Sequence, residues 1–311
     1  LVKLGAVAID GTKIKANASK HKAMSYAHMK KREAELQAEV DRWLAAAEAA
    51  DADEDAIHGP KRGDEMPPWV ADKTKRIAKI RAAKAELEAE AKAAADEERR
   101  IQAEAEEKRL AEGRKKNGKT PAPPSDDPDP TAQRNFTDAE SRILKTKDGY
   151  IQGYNAQAAV DGEAQIIVAH GLTPSMSDHG QLAGLIDGIE ANLATKPKEA
   201  SADSGYLSEA NLAALHARGI VPYIATGRAK HAGEVKRKIG GPLTQAMRNK
   251  LKRAGWRSRY RLRKQIVEPV FGQIKQGRGF RQFLLRGVEK VRAECALICL
   301  AHNLTKLARA T

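Results

Sequence analysis

Residues 4–10, Leu-Gly-Ala-Val-Ala-Ile-Asp, form a small apolar run, and within a dozen residues the pattern changes to helical heptads that continue past residue 100. Met29, Leu36, Trp43, Ala50 and Ile57 recur every seven residues, and so do Ile80, Leu87, Ala94 and Ile101. Between the two sets lies Gly59-Pro60 to Pro67-Pro68, a break that no helix crosses. Two heptad-patterned helices, over residues 20–57 and about Lys73 to Gly113, joined by such a break predict an antiparallel helical hairpin. The hairpin reads equally as an arm that reaches a partner or as a spacer between two strands. Residues 114–130, ending Pro-Ala-Pro-Pro-Ser-Asp-Asp-Pro-Asp-Pro, predict a flexible link. The expected organisation is therefore residues 1–19 as the first part of a core, 20–130 as a helical insertion with its linker, and 131–311 as the remainder of the core.

That core alternates strands and helices. The run at 4–10 predicts a buried strand followed by a turn at Asp10-Gly11. Residues 153–161 and 164–170 read as strands joined at Asp161-Gly162, a hairpin signal. Residues 178–194 have helical periodicity, 198–203 and 219–225 read as strands, and 208–215 as a helix capped by Ser208. Long helices are expected over about 257–275, with a kink or restart at Pro269, and over 288–308. The order predicts an α/β or α+β layered domain with helices against a mixed sheet.

At 311 residues the chain is long enough for a sizeable core. No stretch approaches the roughly 18 apolar residues of a membrane span, and no secretory signal precedes the first strand. Two cysteines exclude a disulfide scaffold and fit a cytoplasmic setting. The first residue is Leu, so a fragment of a longer product is expected. The net charge of +14 is unevenly placed: residues 228–309 hold 22 Lys and Arg against 4 Asp and Glu, a balance of +18, which leaves −4 for the rest. The basic segment also carries Val267, Val270, Phe271, Ile274, Phe280, Phe283, Leu284 and Leu285, so it reads as folded rather than as a solvated tail. A folded basic surface points to a polyanion, and nucleic acid is the natural one.

Three acids stand out. Asp10 and Asp203 end apolar runs, and Glu268 is nearly alone among bases, since between Val235 and Lys290 only Glu289 accompanies it. Taken singly they read as turns and a surface ion pair. Together, strand-end carboxylates and a helix-borne one can converge beside a sheet edge. Such a cluster suits two Mg²⁺ ions with oxygen ligands, which serve phosphodiester chemistry.

At this point the sequence resembles the DDE transposases of bacterial insertion sequences, which have an RNase H-like catalytic fold. The resemblance rests on Val7–Ser19, Gly153-Tyr154-Asn155-Ala156-Gln157, Ala202-Asp203-Ser204-Gly205-Tyr206 and Val267–Lys275. Phe283-Leu284-Leu285-Arg286-Gly287 and His302-Asn303-Leu304 add to it. It implies Asp10, Asp203 and Glu268 as the metal-binding catalytic triad, with two Mg²⁺ ions, or Mn²⁺ as a substitute. It also implies a Tyr–Arg–Glu–Lys signature, which Tyr260, Glu268 and Lys275 fit; Arg263 has the spacing from Tyr260 and Lys264 the spacing to Glu268. With Arg278, Arg281 and Arg286 these form the expected DNA-binding set. The implied activity is cleavage at transposon ends and strand transfer to target DNA, by a homodimer on DNA in the bacterial cytoplasm, with no membrane. The family usually has an N-terminal end-binding region before its first catalytic Asp. Asp10 comes almost at once, so that region is expected to be missing here. The alternatives are an RNase H-like nuclease without strand transfer and an inactive DNA-binding remnant.

Other features read plainly. Cys295 and Cys299, four apart on a predicted helix, read as buried free thiols, because no second Cys or His pair gives tetrahedral zinc spacing. Asp161 and Asp178 read first as a turn and a helix cap, and beyond that as acids supporting the triad. The eight His show no His-Glu-x-x-His motif, and no phosphate-binding Gly-rich loop indicates ATP.

Overall fold

The computed structural model describes residues 2–58, 68–113, 122–227, 240–254 and 259–309. In chain order the elements are β1 (Ala6–Lys15), β2 (Ala23–Ser25), α1 (Tyr26–His58), α2 (Pro68–Ala111), β3 (Gln133–Asn135), β4 (Arg142–Thr146), β5 (Gly149–Asp161) and β6 (Ile167–Thr173). There follow α3 (Leu182–Leu193), β7 (Glu199–Ala202), α4 (Glu209–Ala217), β8 (Val221–Ile224), α5 (Pro242–Ala254), α6 (Leu262–Gly272) and α7 (Val288–Ala308). They divide into two compact units, residues 1–20 with 140–311, and residues 21–139.

The first unit is built on a mixed six-stranded sheet. Its path runs β4-β5-β1-β7-β8, and β6 also pairs with β5. β1 lies antiparallel to β5, from Val7↔Asp161 to Lys15↔Gly153, and parallel to β7, from Ala6↔Glu199 to Ile9↔Ala202. The expected turn at Asp10-Gly11 is corrected by this pairing. The strand continues to Lys15 because β5 supplies partners along its whole length. Gly11 is needed for close approach rather than for a turn: a Cβ there would lie 2.5 Å from Gln157 Nε2.

Side-chain alternation along β1 divides the core into two layers. Val7 and Ile9 join Ala159, Leu185, Ile186, Tyr206, Leu212 and Met247 on the side of α3, α4 and α5. Ala8 and Ile14 join Tyr154, Ala156, Ala158, Val267, Val270, Phe283 and Cys295 on the side of α6 and α7. Burial of this many aliphatic side chains, at about 25 cal/mol per Å² of apolar surface, dominates the stability of both layers.

Pro269 lies inside α6 and ends nothing. A proline there frees the carbonyl four residues back, that of Gln265. The Gln165 side-chain amide donates to that carbonyl at 3.0 Å, so the missing bond is replaced from the β5–β6 turn. After Gly272 the helix widens into a π-helical turn, Gln273–Gly277. The helix expected to reach Lys275 is therefore α-helical only to Gly272, and it runs on through Pro269 rather than restarting there. The same β5–β6 turn is held by α7. Asn303 Nδ2 donates to the Ile167 carbonyl at 2.8 Å, its Oδ1 accepts from the Ile167 N–H at 2.8 Å, and His302 Nε2 lies 3.0 Å from the Gln165 carbonyl. Phe283 packs edge-on against Tyr154 with ring centroids 6.2 Å apart, and its N–H donates to the Lys15 carbonyl.

In the second unit α1 and α2 run antiparallel around Met29, Leu36, Val40, Val70, Ile77, Ile80, Ala83 and Leu87. Tyr26 Oη donates to Glu88, Glu33 pairs with Arg81 and Lys84, Glu39 with Lys73, and Trp43 meets Trp69 edge-on, which fixes the register of the hairpin. β2 and β3 pair at its open end, and the unit runs to Ala139. The heptad positions Ala50 and Ile57 have side chains outside the described residues, as does the Gly/Pro break.

Candidate active site

Two parallel neighbours, β1 and β7, bring their carboxylates together. Asp10 sits one position past the last β1–β7 pair, Ile9↔Ala202, and Asp203 follows Ala202 directly. Asp203 turns into a short 3-10 segment, Ser204–Tyr206, where its Oδ1 accepts from the Gly205 N–H at 2.8 Å. Asp10 Oδ1 accepts from the Gly11 N–H at 2.9 Å. Its other oxygen takes a 2.6 Å ion pair from Nη1 of Arg263, which α6 supplies from within the core. Burial pushes the Asp10 carboxyl above its ordinary range; Arg263 pulls it down and the charge of Asp203 pushes it up again.

A third acid lies against Asp203. Asp178 Oδ1 accepts from Asn155 Nδ2 and from Gln157 Nε2, each at 2.7 Å. Gln157 Oε1 in turn accepts from the Tyr206 hydroxyl. Burial, followed by the charges of Asp178, Asp10 and Asp203, raises the Tyr206 phenol above its ordinary range, so it stays protonated and donates. A Cβ at Gly205 would lie 2.9 Å from Asp178 Oδ2 and 3.0 Å from Asp203 Oδ1. The glycine is what lets the two carboxylates approach.

Of the residues expected from sequence, the structure groups Asp10, Asp203 and Arg263. Glu268 is exposed on α6 and makes no hydrogen bond or ion pair among the described residues. Among the described residues no three carboxylates bring one oxygen each within 4.8 Å of one another. Lys275, on the π-helical turn, donates from Nζ to the Lys13 carbonyl at 2.7 Å, and burial lowers its ammonium below the usual range, with Arg281 adding to the effect. Tyr260 is half-buried with its ring centroid 5.9 Å from the Arg263 guanidinium carbon. Lys264 is exposed. Arg281 is exposed and donates to the Lys275 carbonyl and to Gln276, Arg286 is exposed and donates to the Asn17 carbonyl at 2.9 Å, and Arg278 is half-buried after the π-helical turn.

Asp161 has the expected turn role, accepting from the N–H groups of Glu163 and Ala164. Asp178 does not cap α3, which starts after Gln181 without a side-chain cap. Its ties to Asn155 and Gln157 were missed, although two polar residues at alternate positions of an otherwise buried strand were a signal for them.

Residues 227–308, the stretch that carries α5, α6 and α7, match the family described as a transposase DDE domain. The match supports a DDE transposase. DDE transposases cut and rejoin nucleic acid, so DNA is the partner the family implies, and their domains are generally dependent on divalent metal. No curated protein matches the chain. No helix among the described residues is long and apolar enough to cross a membrane.

Proposed function

We propose that the chain cleaves transposon-end phosphodiesters and transfers the freed strand to target DNA, through Asp10, Asp203 and Glu268. The observation that carries this reading is the meeting of Asp10, midway along β1, with Asp203, just past the end of its parallel neighbour β7, although they are 193 positions apart in sequence. The strand order, with one antiparallel neighbour of β1 and parallel β7 and β8 on its other side, supports an RNase H-like core.

The donor set fits a hard divalent cation such as Mg²⁺. Asp10 and Asp203 offer carboxylate oxygens, and the raised carboxyl of Asp10 marks a place where added positive charge is favourable. Asp10 and Asp203 would hold the ions, with Glu268 as the third acid by resemblance. Bound there, the ions would activate an attacking oxygen and stabilise a leaving one. The chain's own residues do the positioning. Arg263 holds the Asp10 carboxylate in one rotamer, and Asp178, Asn155, Gln157 and Tyr206 stiffen the strand ends beside Asp203. Exposed Lys264, Arg281 and Arg286, with Tyr260, Lys275 and Arg278, supply the basic side that holds phosphates. Strand transfer joins two ends, so the working form on DNA is a homodimer.

The test is nicking and joining of labelled DNA with Mg²⁺ or Mn²⁺, comparing the wild type with Asp10→Asn, Asp203→Asn and Glu268→Gln. Metal-dependent joined products, lost in all three variants while DNA binding persists, support the full reading. Full activity of Asp203→Asn removes it. Cleavage without joined products leaves a nuclease, and salt-sensitive binding without cleavage leaves a DNA-binding remnant.

A further inference from the structure

Away from the carboxylates, β6 and α7 bring three soft donors together. Cys295 and Cys299 are four residues apart on α7, so both thiols lie on the face that packs on the sheet. His170 on β6 pairs with Ala158 of β5, whose side chain belongs to the same core layer as the two cysteines. The two sulfurs and one imidazole nitrogen all lie within 4.8 Å of one another.

Donor chemistry, spacing and support agree. Thiolate and imidazole suit zinc rather than Mg²⁺. In a tetrahedral zinc site, bonds of about 2.0–2.3 Å place the donors roughly 3.5 Å apart, so side-chain rotation alone closes this trio. The thiols are free and nearly fully buried, which leaves them little other chemistry. His170 is partly exposed and gives an ion a way in. The two elements are already locked to each other by the Asn303 and His302 contacts to the β5–β6 turn, so the donors are held by a fixed frame. His302 lies one turn beyond Cys299 but stays on the Gln165 carbonyl, outside the trio.

We propose that His170, Cys295 and Cys299 bind one zinc ion, with water as the fourth ligand, and that this ion ties α7 to β6. The cysteines that the sequence presents as plain buried thiols thereby gain the third ligand that sequence spacing does not reveal.

The experiment uses the full chain without a polyhistidine tag, purified in zinc and dialysed. Metal analysis is expected to find one zinc per chain. Exchange with Co²⁺ is expected to give a thiolate-to-cobalt charge-transfer band. Cys295→Ser and Cys299→Ser should weaken or abolish both signals, and His170→Asn should keep the charge-transfer band while weakening affinity by tenfold or more. Asp10→Asn and Asp203→Asn, which alter the carboxylate site, should leave the zinc content unchanged; this separates failure here from failure of the transposase reading. If the serine variants fold poorly, thiol alkylation of the wild type replaces them: zinc should slow it and a chelator restore it. Substoichiometric zinc with no cobalt band, zinc content indifferent to all three substitutions, or alkylation rates unaffected by zinc would each overturn the proposal.

Discussion

Arg263 holds the charge balance at Asp10, and its substitution isolates that effect. Both side chains are mostly buried, at 8% and 18% exposure, so removing one leaves the other without compensation. Arg263→Met is expected to lower stability by about 3–5 kcal/mol in urea unfolding, and Arg263→Lys to recover only part, since a shorter point charge cannot reproduce the guanidinium contact. A second residue prediction concerns His302. Its Nε2 donates to the Gln165 carbonyl, which leaves Nδ1 bare and buried without a partner. Burial holds its pKa below the ordinary value, so the unfolded chain takes up the proton first as pH falls. Stability is full above the ordinary imidazole range, falls as pH drops through it, and levels off below the depressed folded value. Urea midpoints measured from about pH 8 to pH 5 should decline, and His302→Gln should flatten that decline, leaving the share due to His170, which is shifted the same way. The meeting of Asp10 and Asp203 could be anticipated because an acid that ends an apolar run of sequence is conspicuous. That of Asp178, Gln157 and Tyr206 could not, because each is an ordinary residue until the fold brings it within a hydrogen bond of another.

At the level of elements, β1 is the most constrained. Gly11→Ala would drive a methyl into Gln157 and displace it from Asp178 and Tyr206. The expected outcome is a loss of about 1–3 kcal/mol together with loss of DNA cleavage, read by thermal unfolding and the nicking assay. In the hairpin, Leu36 is fully buried between α1 and α2. Leu36→Ala should cost about 2–5 kcal/mol, seen as faster amide exchange confined to residues 21–139. Heptad spacing made α1 and α2 readable because their contacts are local in pattern. β1 was read short, since a Gly after an Asp signals a turn unless a partner strand runs alongside. β2 and β3 escaped because each is three residues long; β4 and α5 were missed too, although Leu243, Met247 and Leu251 of α5 face the core at helical spacing. α6 runs on through Pro269 for a reason no local rule contains, the Gln165 amide that satisfies the freed carbonyl.

Over the whole molecule, the basic excess and the pair Asp10 and Asp203 occupy different stretches of sequence yet fall in one unit. DNA affinity should therefore fall steeply with salt, by roughly 0.9 in log–log slope for each phosphate contacted. Lys264→Ala and Arg286→Ala should each flatten the slope by about that amount if their exposed heads meet phosphates, and a flat wild-type response would remove the nucleic-acid reading of the basic segment. The β2–β3 pair has a consequence for the order of folding. Phe136 donates to the Lys22 carbonyl at 3.0 Å and Tyr26 to the Ala132 carbonyl at 2.8 Å, so the two ends of a segment of more than a hundred residues are clasped together. To the rest of the chain such a segment behaves as a short connection, which reduces the loop-closure entropy of joining β1 to β4 by about 2 kcal/mol relative to an open loop of that length. The hairpin can close on itself as soon as it is synthesised, and the strand bearing Asp10 then waits not for the insert but for β5, β7 and α6, and last for Phe283, whose N–H reaches the Lys15 carbonyl.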